Sequence, residues 1–427
     1  MQRINTAGAI TGITNIPTGA KGYSDGTPSV TAPTGLDAAP LNALQEELAQ
    51  FIEAQGLAVL TSGTDTFTQL QAAIAKYTKQ QLSKTCVASL SENATAPANT
   101  EIYSVTYGAT ATGNHPIWVA VGVSDGVHPG IMTSYDGVHW TQNTSVSKNL
   151  SLSSVAYHSG VWVAVGAYDS THPFILTATN PQATWTENTA GVPAKTLNLN
   201  SVAYGNGVWV AVGTNDSNKS FILTASDPTS TWTQNAGAPT LGTGINLLSV
   251  AYGNGHWVAT GNYTGATTIL ILTASDPTST WTQNATTPAH ASGLLMRSVA
   301  YANSMWVAVG PYDGTRLFLM TASDPTSTWT QNTNIPTGSY SLSVAIFVTY
   351  FSGLCVIGCG DDQPAFNLLV STSDNPTGAF SFYPIACGSG GGSTDYTIYA
   401  LAVGTNILVG AMGQSGSYVM TNSLVVP

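Results

Sequence analysis

SVAYGNGVWVAVG, Ser201 to Gly213, decides the fold because the chain repeats it. SVAYHSGVWVAVG starts at Ser154, SVAYGNGHWVATG at Ser249 and SVAYANSMWVAVG at Ser298. Fainter copies are SVTYG from Ser104 with WVAVG from Trp118, SVAIF from Ser343 with LCVIGCG from Leu354, and ALAVGTNILVGAMG from Ala400. Starts at Ser104, Ser154, Ser201, Ser249, Ser298, Ser343 and Ala400 define seven units of similar length. A second half follows in each of the better-kept units. TASDPTSTWTQN runs from Thr224 and recurs verbatim from Thr273 and Thr321, with TSYDGVHWTQN at Thr133, TATNPQATWTEN at Thr177 and a degraded STSDNPTGAF at Ser371.

A unit therefore reads as four short strands. An Asn-Gly turn joins SVAYG to VWVAVG as a hairpin, and a strand such as FILTAS turns through Asp-Pro-Thr-Ser into TWTQN. Runs like VWVAVG are apolar at successive positions, as strands covered on both faces must be. Four strands at this period predict a mainly β chain with a seven-bladed β-propeller of four-stranded blades. All ten Trp fall at two repeat positions: Trp118, Trp162, Trp209, Trp257 and Trp306 open the second strand, and Trp140, Trp185, Trp232, Trp281 and Trp329 open the fourth. Large aromatics at fixed positions are read as packing residues. The seventh unit lacks a fourth strand before Pro427, whereas SENATAPA, Ser91 to Ala98, matches TQNATTPA, Thr282 to Ala289. Residues 86–95 are thus expected to supply an N-terminal strand that closes the last blade and removes two sheet edges.

The chain before Cys86 has a different character. Residues 1–36 are Gly/Thr/Pro-rich and read as an extended arm. Residues 37–85 read as a small helical region. Asp37 caps a helix through Glu53 with Leu41, Leu44, Leu48 and Phe51 on one face. A second helix over 66–80 carries Phe67, Leu70, Ile74 and Tyr77. Each seam is about two heptads, too short to stand alone in water, so these residues are assigned to anchoring or oligomerisation. Residues 86–427 form the propeller.

Composition narrows the function. Charged residues make up 7%, against about 25% in an average globular protein, so hydroxyls and amides must solvate the surface. Ten Lys and Arg against 21 Asp and Glu give a net charge of −11, which excludes a phosphate-binding surface for nucleic acid. The N-terminus has no apolar signal core, and no run suits a membrane span. The expectation is a soluble protein made in a cytoplasm without a signal peptide. Cys86, Cys355, Cys359 and Cys387 form no disulfide framework. Cys355 and Cys359 would lie about 13 Å apart along one strand, so the cysteines read as small core residues.

Two resemblances add to this reading. The turn before TWTQN resembles the Asp-box of sialidase-like propellers, with Asp227, Asp276 and Asp324 five residues before a Trp. Pro follows these Asp, the family's Gly is replaced, Asp136 stands four residues before Trp140, and Asn180 replaces Asp in the second unit. That resemblance implies the fold and a turn held by Asx-type hydrogen bonds. LNALQEELAQFIEAQGL, Leu41 to Leu57, followed by TQLQAAIAKY, Thr68 to Tyr77, resembles the N-terminal attachment region of phage tail fibres. It implies a virion-anchoring end that docks to other tail proteins, a homotrimer, and a distal domain facing the bacterial surface.

Chemistry is sparse. A sialidase needs three arginines for the substrate carboxylate, and the repeats hold just Arg297 and Arg316. The loop after the second strand pairs an acid with a base three residues on: Asp125 with His128, Asp169 with His172, Asp216 with Lys219, and Asp313 with Arg316. Tyr168 and Tyr312 lie beside these loops, as does Tyr263. This pattern reads either as a loop-internal turn or ion pair, or as a ligand-binding rim for glycan. No catalytic residue, metal site or cofactor is assigned. The leading expectation is a tail fibre or receptor-binding protein. The alternatives are a structural tail component with a scaffold propeller and a surface-polysaccharide depolymerase. Deleting residues 86–97 should leave the last blade open, and unfolding or aggregation of the purified variant is the expected outcome. A soluble variant with unchanged melting would refute the closure.

Overall fold

The computed structural model describes residues 91–92, 101–111, 115–242, 244–262, 269–287, 295–313, 316–335, 344–351, 354–360, 365–371, 375–386, 397–403, 407–413 and 418–423. All belong to the second of two compact units, 84–427. The arm, the two expected helices with their eight apolar residues, Cys86 and Cys387 lie outside the described residues.

The described chain is mainly β, and its strands follow the repeat. In the third unit they are Leu199–Gly205, Val208–Asp216, Lys219–Ala225 and Thr233–Gln234, each antiparallel to the next. The same four-stranded order recurs in the neighbouring units, giving a β-propeller-like arrangement of four-stranded blades. Asn206 and Gly207 both take positive φ, 47° and 82°, as the tight hairpin turn requires. The final sheet joins Thr397–Val403, Ile407–Gly413 and Tyr418–Ser423 to Ser91–Glu92. There Ser91 pairs with Thr421 and Glu92 with Met420, so the early segment does supply an outer strand to the last sheet.

Alternation along the second strand builds the core. Trp209 and Ala211 pack with Val163, Val165 and Ile175 of the preceding unit. Val210 and Val212 point the other way and pack with Trp257 and Ala259 of the following one. A period of two thus sends Trp and Ala to one joint and the two Val to the next. In the sixth unit Cys355, Ile357 and Cys359 take the corresponding places against Val307 and Val309. Both cysteines are buried free thiols, as small core residues should be. All ten Trp are buried, none more than 7% exposed. Trp118 and Ala120 of the first unit pack with Ala400 and Ala402 of the seventh.

Gly213 ends VWVAVG for a steric reason. The first strand bulges between Leu199 and Ser201, bringing the Asn198 carbonyl where a Cβ on residue 213 would sit. Gly261 meets the Asn246 carbonyl the same way. Any side chain there would push the bulged strand off its partner.

Polar side chains stitch the joints at two radii. On the first strands, Ser154 Oγ accepts the Val202 N–H at 3.2 Å, and Ser201 Oγ accepts the Val250 N–H at 3.2 Å. On the outer side, the Asn that ends TWTQN reaches into the next turn. Asn188 Nδ2 donates to the carbonyls of Pro228 and Ser230, both at 2.7 Å, while its Oδ1 accepts from Ala190 N–H. Asn143, Asn235, Asn284 and Asn332 repeat the double donation. The turn is held within itself as well: Asp227 Oδ1 accepts from Thr229 N–H and Oγ1, and Trp232 Nε1 donates to Pro228 O. In the sixth unit Asn375 takes the Asp role, and Phe380, 4% exposed, lies where the other units have Trp.

Replacing Asn188 by Ala removes three hydrogen bonds and leaves two turn carbonyls short of a donor, so we expect a loss of about 2–3 kcal/mol. The exposed neighbour Thr189→Ala should stay within about 0.5 kcal/mol. Urea unfolding of both variants checks the comparison.

Candidate functional site

Because the four strands alternate in direction, the loop between second and third strands lies on the same face as the linkers joining units. The hairpin between first and second strands and the Asp-box-like turn lie on the opposite face. The first face carries the Asp-containing loops singled out in the sequence.

These loops are closed turns. The N–H of Asp125 donates to His128 O at 3.1 Å, that of Asp169 to His172 O at 2.9 Å, and that of Asp313 to Arg316 O at 2.9 Å. Each carboxylate turns back onto the same segment. Asp125 Oδ1 accepts the amides of Val127 and His128 at 2.7 and 2.6 Å, and Asp169 Oδ1 those of Thr171 and His172 at 2.8 and 2.6 Å. Asp313 Oδ1 accepts the Arg316 amide at 2.9 Å. The third residue on thus contributes its backbone first. His128 adds a side-chain contact, its Nδ1 lying 3.1 Å from Asp125 Oδ2. Lys219 is exposed and is the strand partner of Asp216, and Arg316 donates through its guanidinium to Thr333 O.

The second carboxylate oxygens are filled from elsewhere. Gln142 Nε2 donates to Asp125 Oδ2 at 2.8 Å, Gln234 to Asp216 at 2.7 Å and Gln331 to Asp313 at 2.7 Å. In the second unit Glu187 occupies the Gln position. Lys148, from the preceding linker, lies 3.0 Å from Asp169 Oδ2 and 2.6 Å from a Glu187 oxygen. Lys195, from the next linker, pairs with Asp216. The sequence reading did not single out Lys148, Lys195 or the Gln series. The Gln signal was available, since it stands at one repeat position in TWTQN.

Electrostatics follow from this geometry. The amides of His128 and Val127, helped by the His128 ring, hold the Asp125 carboxyl well below the usual range. Burial works to raise Asp169, but the amides of His172 and Thr171 and the Lys148 ammonium overcome it and hold it well below. At Asp216 burial again opposes, and Lys195 and Gln234 prevail. A carboxyl locked in its ionised form donates no proton at neutral pH, whereas glycoside hydrolysis needs one carboxylic acid kept protonated. None of Asp125, Asp169 and Asp216 has that environment.

Tyr168 is 42% exposed and Val127 57% exposed, on loops of adjacent units of this face. Tyr263 and the side chain of Tyr312 lie outside the described residues. Among the described residues no group of three or more His, Cys, Asp or Glu is placed to hold a metal ion.

A carboxyl depressed in the folded state stabilises it above the unfolded pKa of about 3.9, and that contribution drains away as pH falls toward the folded value. Asp169→Asn should therefore unfold at lower urea than the parent protein at neutral pH. The gap should narrow below about pH 4. A gap independent of pH would show that the Asp169 carboxylate does not act through its charge.

No protein-family model matches the chain, and no curated protein matches it. A solved structure described as YCF48 bound to D1 peptide is similar over 78% of this chain and 96% of its own, with a TM-score of 0.53 and 13% sequence identity. At that identity the likeness shows the β-propeller fold and nothing beyond it.

Proposed function

We infer that the chain is a phage tail-fibre or receptor-binding component: residues 1–85 dock to the virion tail, and a seven-bladed propeller contacts the bacterial surface. The seven sequence units, the pairing of Ser91–Glu92 with Tyr418–Ser423 and the packing of Trp118 with Ala400 and Ala402 support a closed ring of seven blades. The likeness of residues 41–77 to fibre attachment regions supports the virion end and a homotrimer. The observation that carries the reading for the distal end is the character of the surface. Charge is 7% of the chain, and the described rim carboxylates of Asp125, Asp169 and Asp216 are bonded within the fold. Such a surface suits neutral polyhydroxy partners met outside the cell.

The occupied rim carboxylates also favour one rival, a scaffold propeller with no ligand. The two readings separate in one assay. Labelled full-length protein is expected to bind susceptible cells and to block, dose-dependently, adsorption of the virions that carry it. Folded protein that binds virions but neither binds cells nor blocks adsorption would replace the attachment reading with the scaffold one.

A further inference from the structure

Three shallow pockets recur at equivalent places on the turn face, at the joints that follow the second, third and fifth units. Their volumes are about 260, 290 and 410 Å³. Each is lined by the two Thr that flank the buried fourth-strand Trp: Thr184 and Thr186, Thr231 and Thr233, Thr328 and Thr330. The wall across the joint is the Thr of the next turn, at positions 229, 278 and 377 respectively.

This lining differs from that of the rim in its Thr, while the side chains of Glu187, Gln234 and Gln331, which also line the pockets, are bonded to the rim network. The six flanking Thr are exposed, and none donates its hydroxyl to another group in the described residues. Their methyl groups supply apolar surface between the hydroxyls. Among the residues lining the three pockets Glu187 is the one charged side chain. Asn235, 5% exposed, lines the middle pocket with its Oδ1 unpartnered, whereas the Oδ1 atoms of Asn188 and Asn332 accept from the amides of Ala190 and Asn334.

We propose that these three Thr-lined joints are repeated subsites for single residues of a neutral polysaccharide, so that the turn face rather than the Asp-bearing rim is the carbohydrate-contacting face. A sugar ring combines apolar C–H patches with a hydroxyl perimeter, and closely spaced Thr methyls and hydroxyls match both. Two of the pockets lie just below, and the third within the lower part of, the range for small-ligand sites, about 300–1,000 Å³, which suits one sugar residue. A net charge of −11 repels an anionic polymer and leaves a neutral one. Each site alone is weak. Repetition on one rigid face makes binding to a polymer multivalent, and avidity of this kind reaches about 10²–10⁴-fold.

The proposal rests on the attachment reading, and the test separates the two. Full-length protein is probed by saturation-transfer NMR with millimolar glucose, galactose, rhamnose and N-acetylglucosamine in turn, and separately by binding to susceptible cells. Two variants are compared with the parent. One changes Thr184, Thr186, Thr231, Thr233, Thr328 and Thr330 to Ala. The other fills the pockets through Thr179→Leu, Ser226→Leu and Ser323→Leu at exposed lining positions. Transfer to at least one sugar by the parent, its loss in both variants, and a fall in cell binding of at least about 10-fold are expected, with tryptophan fluorescence unchanged. Cell binding that survives in both folded variants overturns the pocket assignment and leaves attachment standing. Absence of transfer from all four sugars also overturns the assignment, and absence of cell binding by the parent strikes the attachment reading itself.

Discussion

Every blade depends on its neighbours because the second strand has two buried faces and no core of its own. Trp209 and Ala211 complete the joint behind, and Val210 and Val212 complete the joint ahead. A single unit of this sequence would leave both sets in water, at roughly 25 cal/mol per Å² of exposed apolar surface. The repeat is therefore a thermodynamic requirement: each unit folds only by burying a face on the next. Ends are the weak point of such an array. The chain meets that problem by pairing Ser91–Glu92 with the last sheet.

Polar staples add what apolar packing lacks, which is register. Valine faces slide against one another at small cost, but an Asn that must reach two carbonyls of the neighbouring turn fixes the blade to within a fraction of an ångström. Asn188 and its counterparts do this at the outer edge, and Ser154 and its counterparts do it on the first strands. Because the Asn side chain and the Pro carbonyl it reaches are buried, losing the Asn leaves that carbonyl unsatisfied. That asymmetry explains why Asn and Ser recur at these positions with the same regularity as Trp.

Strand number, hairpin turns and the early closing strand were legible in the sequence because they depend on two periods, the alternation along a strand and the length of one repeat unit. Sequence displays both directly. The packing role of the ten Trp and of Cys355 and Cys359 was legible for the same reason. The rim was half-legible. The Asp-x-x-base spacing announces a turn, but not that the base takes part mainly through its backbone amide. Nor does spacing reveal that the cations facing Asp169 and Asp216 are Lys148 and Lys195, because each sits well upstream in a linker whose path only the fold defines. The Asn staples were hidden differently: a polar residue ending a strand reads equally well as the start of a turn.

The two faces of this unit consequently differ in what they can offer a partner. On the rim, amides, Gln side chains and linker lysines saturate the carboxylates, and any ligand competing for them would have to break bonds that stabilise the turns. On the opposite face, the turn's Asp is equally engaged, bonding Thr229 N–H and Oγ1. The Thr hydroxyls beside the buried Trp, however, donate to nothing among the described residues. They stand on strands fixed by the Trp beneath them, so little order is lost when a ligand meets them. A chain this poor in charge cannot gain specificity from electrostatics. Its means are rigid hydroxyls in fixed positions and the number of times they recur, both set by the same repeat that builds the core.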